Sequence, residues 1–487
     1  MIQLSNIIFF NQLEENDYSL SAKLYEQYEL PYENSKKLSE FLISPLQKGI
    51  EVGSDAYIDN KKFKFIRTNG ISNSSVLFDE KSCVGVPKSY FEKQNLKKDG
   101  ILIVKDGSIG NVAFLDKDFP NYMISSGINL INCKNPLYVF SILQHYLFKQ
   151  NFYYKVTSGF TISHAENIFL DFDIPLPKSN EEEVMSFIEI IMKSIISKER
   201  LIKYKINCLN NYISKLLNFE DFEELDDVYP TYADLIKVKR IDSGYYSKKS
   251  IYVRNLIESY CEGYFYISSS NIKGGNTPKI RSNPSYEDLA YKWIMPSYIN
   301  DDGLNVNVCS MDFKGKNNIN QDVCLIVNRT SKKSDGQSGK FVGIASFYDY
   351  SFFKEGHHNQ GFYRIENLDK IDLIMITTLF NHPIYREYFG EISVGSKMKE
   401  VKKYNLVEIP LPKFDRDIKE KLKELYFNEL SWNFTGDIKH FNDYDNKWSQ
   451  KAGIYDLYLM SYRQKMFLNS LIEKIYNNQD IEITFSF

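Results

Sequence analysis

The stretch EEEVMSFIEIIMKSIISKERLIKYKINCLNNYISKLL, Glu181 to Leu217, decides how the rest of the chain is read. It follows Ile174-Pro175-Leu176-Pro177, whose prolines end any preceding element, and Ser179 or Asn180 can cap a helix start. Glu181, Glu182 and Glu183 place negative charge on the first turn, at the positive end of the helix dipole. Apolar side chains then return every seven residues at Ile188, Ile195, Ile202, Leu209 and Leu216. Val184, Ile191, Ile206 and Ile213 fill in between them, and no proline or glycine interrupts the run. At ~1.5 Å per residue, a helix of this length is a rod of roughly 55 Å. An ordinary core helix is the plainer alternative, but either way the apolar stripe needs something to pack against.

With 487 residues the chain is too long for one core, and the length favours about three domains. A formal net charge of −3 excludes a polycation, so any nucleic-acid contact must come from local basic surface or from partner subunits. Cys83, Cys133, Cys208, Cys261, Cys309 and Cys324 form no C-x-x-C pair, which speaks for free thiols in a reducing compartment and against zinc. The N-terminus lacks a basic leader pattern and no apolar run is long enough to span a membrane, so the expected location is cytoplasmic.

Taken in order, residues 1–35 form an irregular N-terminal segment, and residues 36–178 carry short strands with turns, a mixed α+β domain. Lys64–Arg67, Ile101–Val104 and Ile128–Ile131 have strand character, and a helix is expected over Leu137–Gln150. The long helix occupies 179–219. An acidic link leads into a second domain over 220–413, where the order of elements returns. Lys292–Met295 answers the strand at Phe65, Asp322–Asn328 that at Ile101, Gln360–Ile365 that at Asn129, and Ile371–Asn381 the helix from Leu137. Thr157-Ser158-Gly159 is answered by Ser393-Val394-Gly395, and Ile174-Pro175-Leu176-Pro177 by Ile409-Pro410-Leu411-Pro412, Pro410 standing 235 residues after Pro175. Over 414–487 helices are expected again, Ile418–Leu430 and Leu457–Ile475, separated by an inserted polar loop from Ser431 to Trp448. The chain therefore reads as a tandem duplication. Its two long helices would pack antiparallel, with Leu457, Leu471 and Ile475 facing the seam of Ile188, Ile195, Ile202, Leu209 and Leu216, giving a pseudo-twofold dumbbell.

Catalytic patterns are scarce. Asn135-Pro136-Leu137-Tyr138 and Asn283-Pro284-Ser285-Tyr286 resemble the Asn-Pro-Pro-Tyr of adenine methyltransferases but lack the second proline and a Gly-rich cofactor loop. Gly336-Gln337-Ser338-Gly339-Lys340 misses the spacing of a phosphate loop, and nothing near His357-His358 supplies further metal ligands. Binding residues are easier to find. In the first domain Lys48, Arg67, Asn69 and Lys105 sit beside turns, and Ser158, Thr161 and His164 lie in a polar loop. In the second domain Lys273, Asn276, Thr277, Lys279 and Arg281 surround Gly274-Gly275, while Arg329, Lys332, Lys333, Lys340 and Lys397 mark further basic loops. Lys and Arg among Asn, Ser and Thr suit phosphates and base edges; solvated surface loops are the bland alternative.

Two variable globular domains, each ending in I-P-L-P and a long helix, resemble the DNA-specificity subunit of type I restriction-modification enzymes. Gly274-Gly275-Asn276-Thr277-Pro278 before the Trp293 strand, Leu96-Lys97-Lys98-Asp99-Gly100-Ile101-Leu102 before Lys105-Asp106-Gly107, and Arg240–Tyr246 at the lead-in to the second domain carry the likeness. It covers residues 36 to 477, and the insertion and residues 1–35 depart from it. The resemblance implies a non-catalytic reader of double-stranded DNA whose two target-recognition domains each read part of a bipartite site. A rod of roughly 55 Å matches about 16 base-pair steps between them. It further implies methyltransferase subunits, two in number, that bring S-adenosylmethionine. A restriction-translocation subunit using ATP and Mg can join them; this chain itself binds no cofactor or metal. A specificity subunit of a type II or other phage-defence methylation system, and a protein-binding scaffold without DNA, remain alternatives; sequence-dependent retention on DNA separates the last.

Overall fold

A computed structural model describes residues 31–59, 62–156, 168–219, 222, 225, 229–238, 242–276, 291–304, 309–311, 318–329, 342–395 and 399–485. In the first half the chain runs through β1 (Ser35–Lys37), α1 (Leu38–Phe41), β2 (Gln47–Lys48), β3 (Lys64–Ile66) and β4 (Val84–Gly85). It continues with β5 (Ile101–Val104), β6 (Val112–Phe114), β7 (Tyr122–Ile124), β8 (Ile128–Ile131), α2 (Pro136–Gln144) and α3 (Tyr146–Val156). Strand β9 (Asp173–Pro175) and α4 (Glu181–Leu217) close this half, and α4 has the bounds its heptads predict.

Strands β2, β8, β5 and β6 make one antiparallel sheet in that order. In a second sheet β3 lies between β4, antiparallel, and β7, parallel, while β1 pairs with β9. Strand β5 is four consecutive buried apolar residues because both of its faces are covered. Leu102 and Val104 enter a core with Ile66, Phe119 and Ile124, whereas Ile101 and Ile103 face the other way, into the core that holds Phe140, Phe152 and Ile188.

The second half runs α5 (Tyr232–Val238), α6 (Lys248–Glu258), β10 (Tyr264–Phe265), β11 (Ile272–Gly274), β12 (Tyr291–Ile294) and β13 (Cys309–Met311). Next come β14 (Val323–Val327), β15 (Ala345–Tyr348), α7 (Tyr350–Phe353), β16 (Gly356–His358) and β17 (Phe362–Ile365). Helices α8 (Lys370–Asn381), α9 (Pro383–Ile392) and α10 (Lys403–Leu406), strand β18 (Leu411–Pro412) and helices α11 (Arg416–Tyr426), α12 (Ile438–Lys451) and α13 (Ile454–Tyr476) complete it. The sheets repeat those of the first half strand for strand: β11-β17-β14-β15, then β13-β12-β16 with β12 parallel to β16, then β10-β18. In each half a buried tyrosine hydroxyl is donated to the carbonyl of the first I-P-L-P proline, Tyr138 to Pro175 at 2.6 Å and Tyr385 to Pro410 at 2.8 Å.

The chain divides into two compact units, residues 1–201 with 432–450 and 459–487, and residues 202–431 with 451–458. These units are discontinuous in sequence, because α4 and α13 each contribute to both. Within the first unit Phe187 of α4 meets Phe467 at 6.2 Å between ring centres, and Ser194 meets Gln464. Within the second, Lys205 donates to the Ala452 carbonyl at 2.7 Å. In the first unit the partners on α13 descend as α4 ascends, so the two helices run antiparallel there.

Three sequence expectations are corrected. The segment 431–448 is not a polar loop: most of it is α12, and α13 begins at Ile454 rather than Leu457. The helix over Leu137–Gln150 is two helices, because His145 is extended and its Nδ1 accepts the Leu147 N–H at 3.3 Å, capping α3 in place of continuing α2. Leu216 is only half-buried, and Ile213 and Leu217 take the inward positions at that end of α4. A helix of ~3.6 residues per turn drifts off a strict heptad, so the inward face shifts by about one residue toward this end.

Candidate nucleic-acid interface

The candidate residues of the first unit come together through backbone hydrogen bonds among four segments distant in sequence. The turn between β7 and β8, Ser125-Ser126-Gly127, is the hub. Ser125 N donates to the Ile66 carbonyl (3.0 Å) and Ser126 N to that of Ile50 (2.8 Å). The Gly127 carbonyl accepts from Lys105 N (2.9 Å), and Gly49 N donates to Ile128 (3.0 Å). This knot gathers Lys48 at the end of β2, Arg67 and Asn69 just past β3, and Lys105 just past β5, so they share one edge of the two sheets. Lys48 and Asn69 are exposed, Arg67 and Lys105 half-buried. Glu51 and Asp106 are the acids nearest them in sequence. Glycine is required at position 49, since a Cβ there would stand 1.9 Å from the Ser125 carbonyl oxygen.

The second unit ties the same knot. Asn359 N donates to the Ile294 carbonyl (3.2 Å), Asn276 N to His358 (3.3 Å), Asn328 N to Gly361 (2.9 Å) and Gly275 N to Phe362 (3.3 Å). A Cβ on Gly275 would again lie 1.9 Å from a carbonyl oxygen, that of Asn359. Lys273 and Asn276 are exposed on this edge, and Arg329, half-buried, follows β14. Place by place, however, the chemistry differs: Gly274, Met295 and Asn328 occupy the positions that Lys48, Arg67 and Lys105 hold in the first unit. Ser158, Thr161, His164, Thr277, Lys279, Arg281, Lys332, Lys333, Lys340 and Lys397 lie outside the described residues.

Each two-sheet body is fastened to helix α4, or to the helices around it, within its own unit. In the first, Arg200 of α4 holds Asp116 through Nε (2.7 Å) and Nη2 (2.5 Å) and Glu80 through Nη1 (2.6 Å). Burial acts to raise the Glu80 carboxyl, but the Arg200 guanidinium, together with Lys117 and the Tyr122 hydroxyl, outweighs it and holds its pKa below the ordinary value. Glu199 accepts from the Ser75 hydroxyl (2.7 Å) and Val76 N (3.0 Å) and also pairs with Lys465 of α13 (2.5 Å). In the second, the buried His382 ring meets the Asn210 carbonyl at 3.1 Å and the Ser214 hydroxyl at 3.0 Å, both on α4. These anchors carry no sequence signature beyond residue type. The seam residues Ile188, Ile195, Ile202, Leu209, Leu457, Leu471 and Ile475 are all buried within this chain. As a surface for another subunit they are already used.

Among the described residues no group of three or more His, Cys, Asp or Glu side chains is placed to hold a metal ion. His357 and His358 are buried in β16, and burial pushes the His358 pKa down to about 3. No described helix is long and apolar enough to cross a membrane.

Among solved structures the chain is similar to the S subunit of a type I restriction-modification system from M. genitalium, at 14% identity and a TM-score of 0.40, with 92% of this chain and 98% of that one covered. It is also similar to the HsdS subunit from Thermoanaerobacter tengcongensis, at 12% identity and a TM-score of 0.28, covering 92% and 98%. A third similar chain comes from work on complex assembly and conformational transition of the type I R-M system (12% identity, TM-score 0.27, covering 92% and 99%). Likeness at these scores does not establish the fold, which stands on the strand orders above. No curated protein matches the chain. Residues 34–211 match the family model of the type I restriction modification DNA specificity domain, and for that part of the chain the resemblance read from the sequence is shown.

Proposed function

We propose that the chain is the DNA-specificity subunit of a type I restriction-modification complex, each unit reading one half of a bipartite site. The observation that carries this is the edge built twice: one backbone knot, repeated in both units, collecting Lys48, Arg67, Asn69 and Lys105 in the first and Lys273, Asn276 and Arg329 in the second. Lysines and arginines on such an edge bind phosphates and base edges, while a rigid two-sheet body holds them in place. The family match of residues 34–211 supports the same reading, and the repeated sheet order extends it to the second half.

On this reading the chain does no chemistry. Methyltransferase subunits, two per complex, dock beside its helices, supply S-adenosylmethionine and flip the target adenine from the stack. A restriction-translocation subunit using ATP and Mg joins the same assembly, and DNA, not a protein, is the ligand of the two edges. Retention of the assembled chain and methyltransferase on random-sequence duplexes, followed by sequencing of the retained fraction, tests the function. Enrichment of one two-part motif is the expected result. Equal retention of all sequences, or none at low salt, would contradict it.

A further inference from the structure

The geometry points to Arg67 as the residue with which the first unit demands a guanine, and to Met295 as the reason the second unit makes no such demand at the matching position. The inference rests on the DNA-reading function proposed above and assigns chemistry to two places within it.

Arg67 and Met295 are structurally equivalent. Each is the extended residue immediately after the central strand of its three-stranded sheet, with φ −102 and ψ 160 for Arg67 and φ −123 and ψ 155 for Met295. Each leads into a single 3-10 turn, closed by Gly70 N to the Arg67 carbonyl (3.0 Å) and by Tyr298 N to that of Met295 (2.9 Å). Beside each, a hub glycine lies close to the next residue: a Cβ on Gly127 would approach Thr68 at 2.8 Å and one on Gly361 would approach Pro296 at 2.7 Å. The duplication therefore supplies its own comparison, with one backbone place and two side chains of different chemistry.

The Arg67 guanidinium is oriented but largely unspent. It lies 5.7 Å from the centre of the Tyr57 ring, and Nη2 makes one long hydrogen bond to the Ser82 carbonyl at 3.4 Å. Its Nε is enclosed and has no hydrogen-bond partner among the described residues. Nε therefore lies out of reach of a base edge as the side chain stands, and Nη1 and Nη2 are the pair left to contact one. The arginine fork matches two acceptors side by side, and in the major groove that pair is O6 and N7 of guanine. Lys48 and Lys105, on the same edge, are point charges suited to the flanking phosphates. Met295 has no donor to offer; its thioether side chain suits a thymine methyl or an unread position.

The test is the methylated motif written by the full chain with its methyltransferase subunits, for wild type, R67M and R67K. R67M installs the side chain that the equivalent place already accommodates in the second unit. Arg67 as guanine reader predicts that R67M loses the demand for guanine at one position of one half-site and leaves the other half unchanged. Affinity for the original site should fall roughly 5- to 150-fold. R67K, which keeps the charge but not the fork, should also lose the guanine. The inference is overturned if both variants keep the motif. It is equally overturned if R67M weakens all sequences alike with a salt slope about one unit shallower while R67K behaves as wild type, for then Arg67 holds a phosphate. A wild-type complex that methylates without sequence preference would instead sink the DNA-reading function itself.

Discussion

At the scale of single residues, the two glycines beneath the edges are the least replaceable groups in the account. Alanine at Gly49 or Gly275 would drive a methyl into a backbone carbonyl, so the knot must shift. The expected cost is about 1–3 kcal/mol in urea unfolding, as for overpacking elsewhere, with loss of recognition confined to the half-site of the altered unit. Gly390, inside α9 with nothing near its missing Cβ, is the control: alanine there should stabilise by about 0.5–1 kcal/mol. Two histidines give a second prediction. Burial pushes His145 down to about 3 and His382 down to about 4, from an ordinary value of 6.5. At neutral pH the His145 ring is therefore uncharged, and the approach of Glu473 at 4.0 Å is no ion pair. The unfolded chain takes up these protons first on acidification, so their stabilisation is complete above 6.5 and is lost as pH falls from there toward 4. Asparagine at both positions retains a capping oxygen but cannot titrate. The double variant's unfolding midpoint should fall less between pH 7.5 and 5 than that of wild type.

Among the elements, α4 was legible because its apolar heptads run uninterrupted between I-P-L-P and an acidic link, and its bounds came out as read. Helix α12 was not. Its buried face is Phe441, Asp445, Trp448 and Ser449, helical spacing hidden by a carboxylate at a core position. Asp445 is buried because Lys198 of α4 is buried opposite it, 2.5 Å away, with Ser194 bonding both and the rings of Trp432 and Trp448 around the amine. Burial pulls the Lys198 pKa down to about 8 against the pull of Asp445. Such a network fixes how two helices register rather than adding much stability. Asp445→Leu should cost about 3–5 kcal/mol by stranding the ammonium. The double variant K198M/D445L should recover most of it, and a double-mutant cycle by denaturant unfolding measures the coupling. Additive single effects would show that the pair is not coupled. The strands were legible from runs such as Ile101–Val104 and Val323–Val327. The edges were legible only as scattered cations near turns, since what joins Lys48, Arg67 and Lys105 is backbone hydrogen bonding between segments far apart in sequence.

For the whole molecule, the repeat of sheet order is the fact on which function rests. Two units built alike, with different side chains at matching places of their edges, are expected to read different sequences independently. Replacing residues 36–178 by the same domain of a related chain should alter one half of the methylated motif and preserve the other; a change in both halves would contradict modular reading. The most direct measurement is a genome-wide map of adenine methylation in cells that carry the methyltransferase subunits, with and without this chain. The expected result is a two-part motif, methylated throughout the genome when the chain is present and unmethylated when it is removed. A methylation pattern identical in the two strains would contradict it.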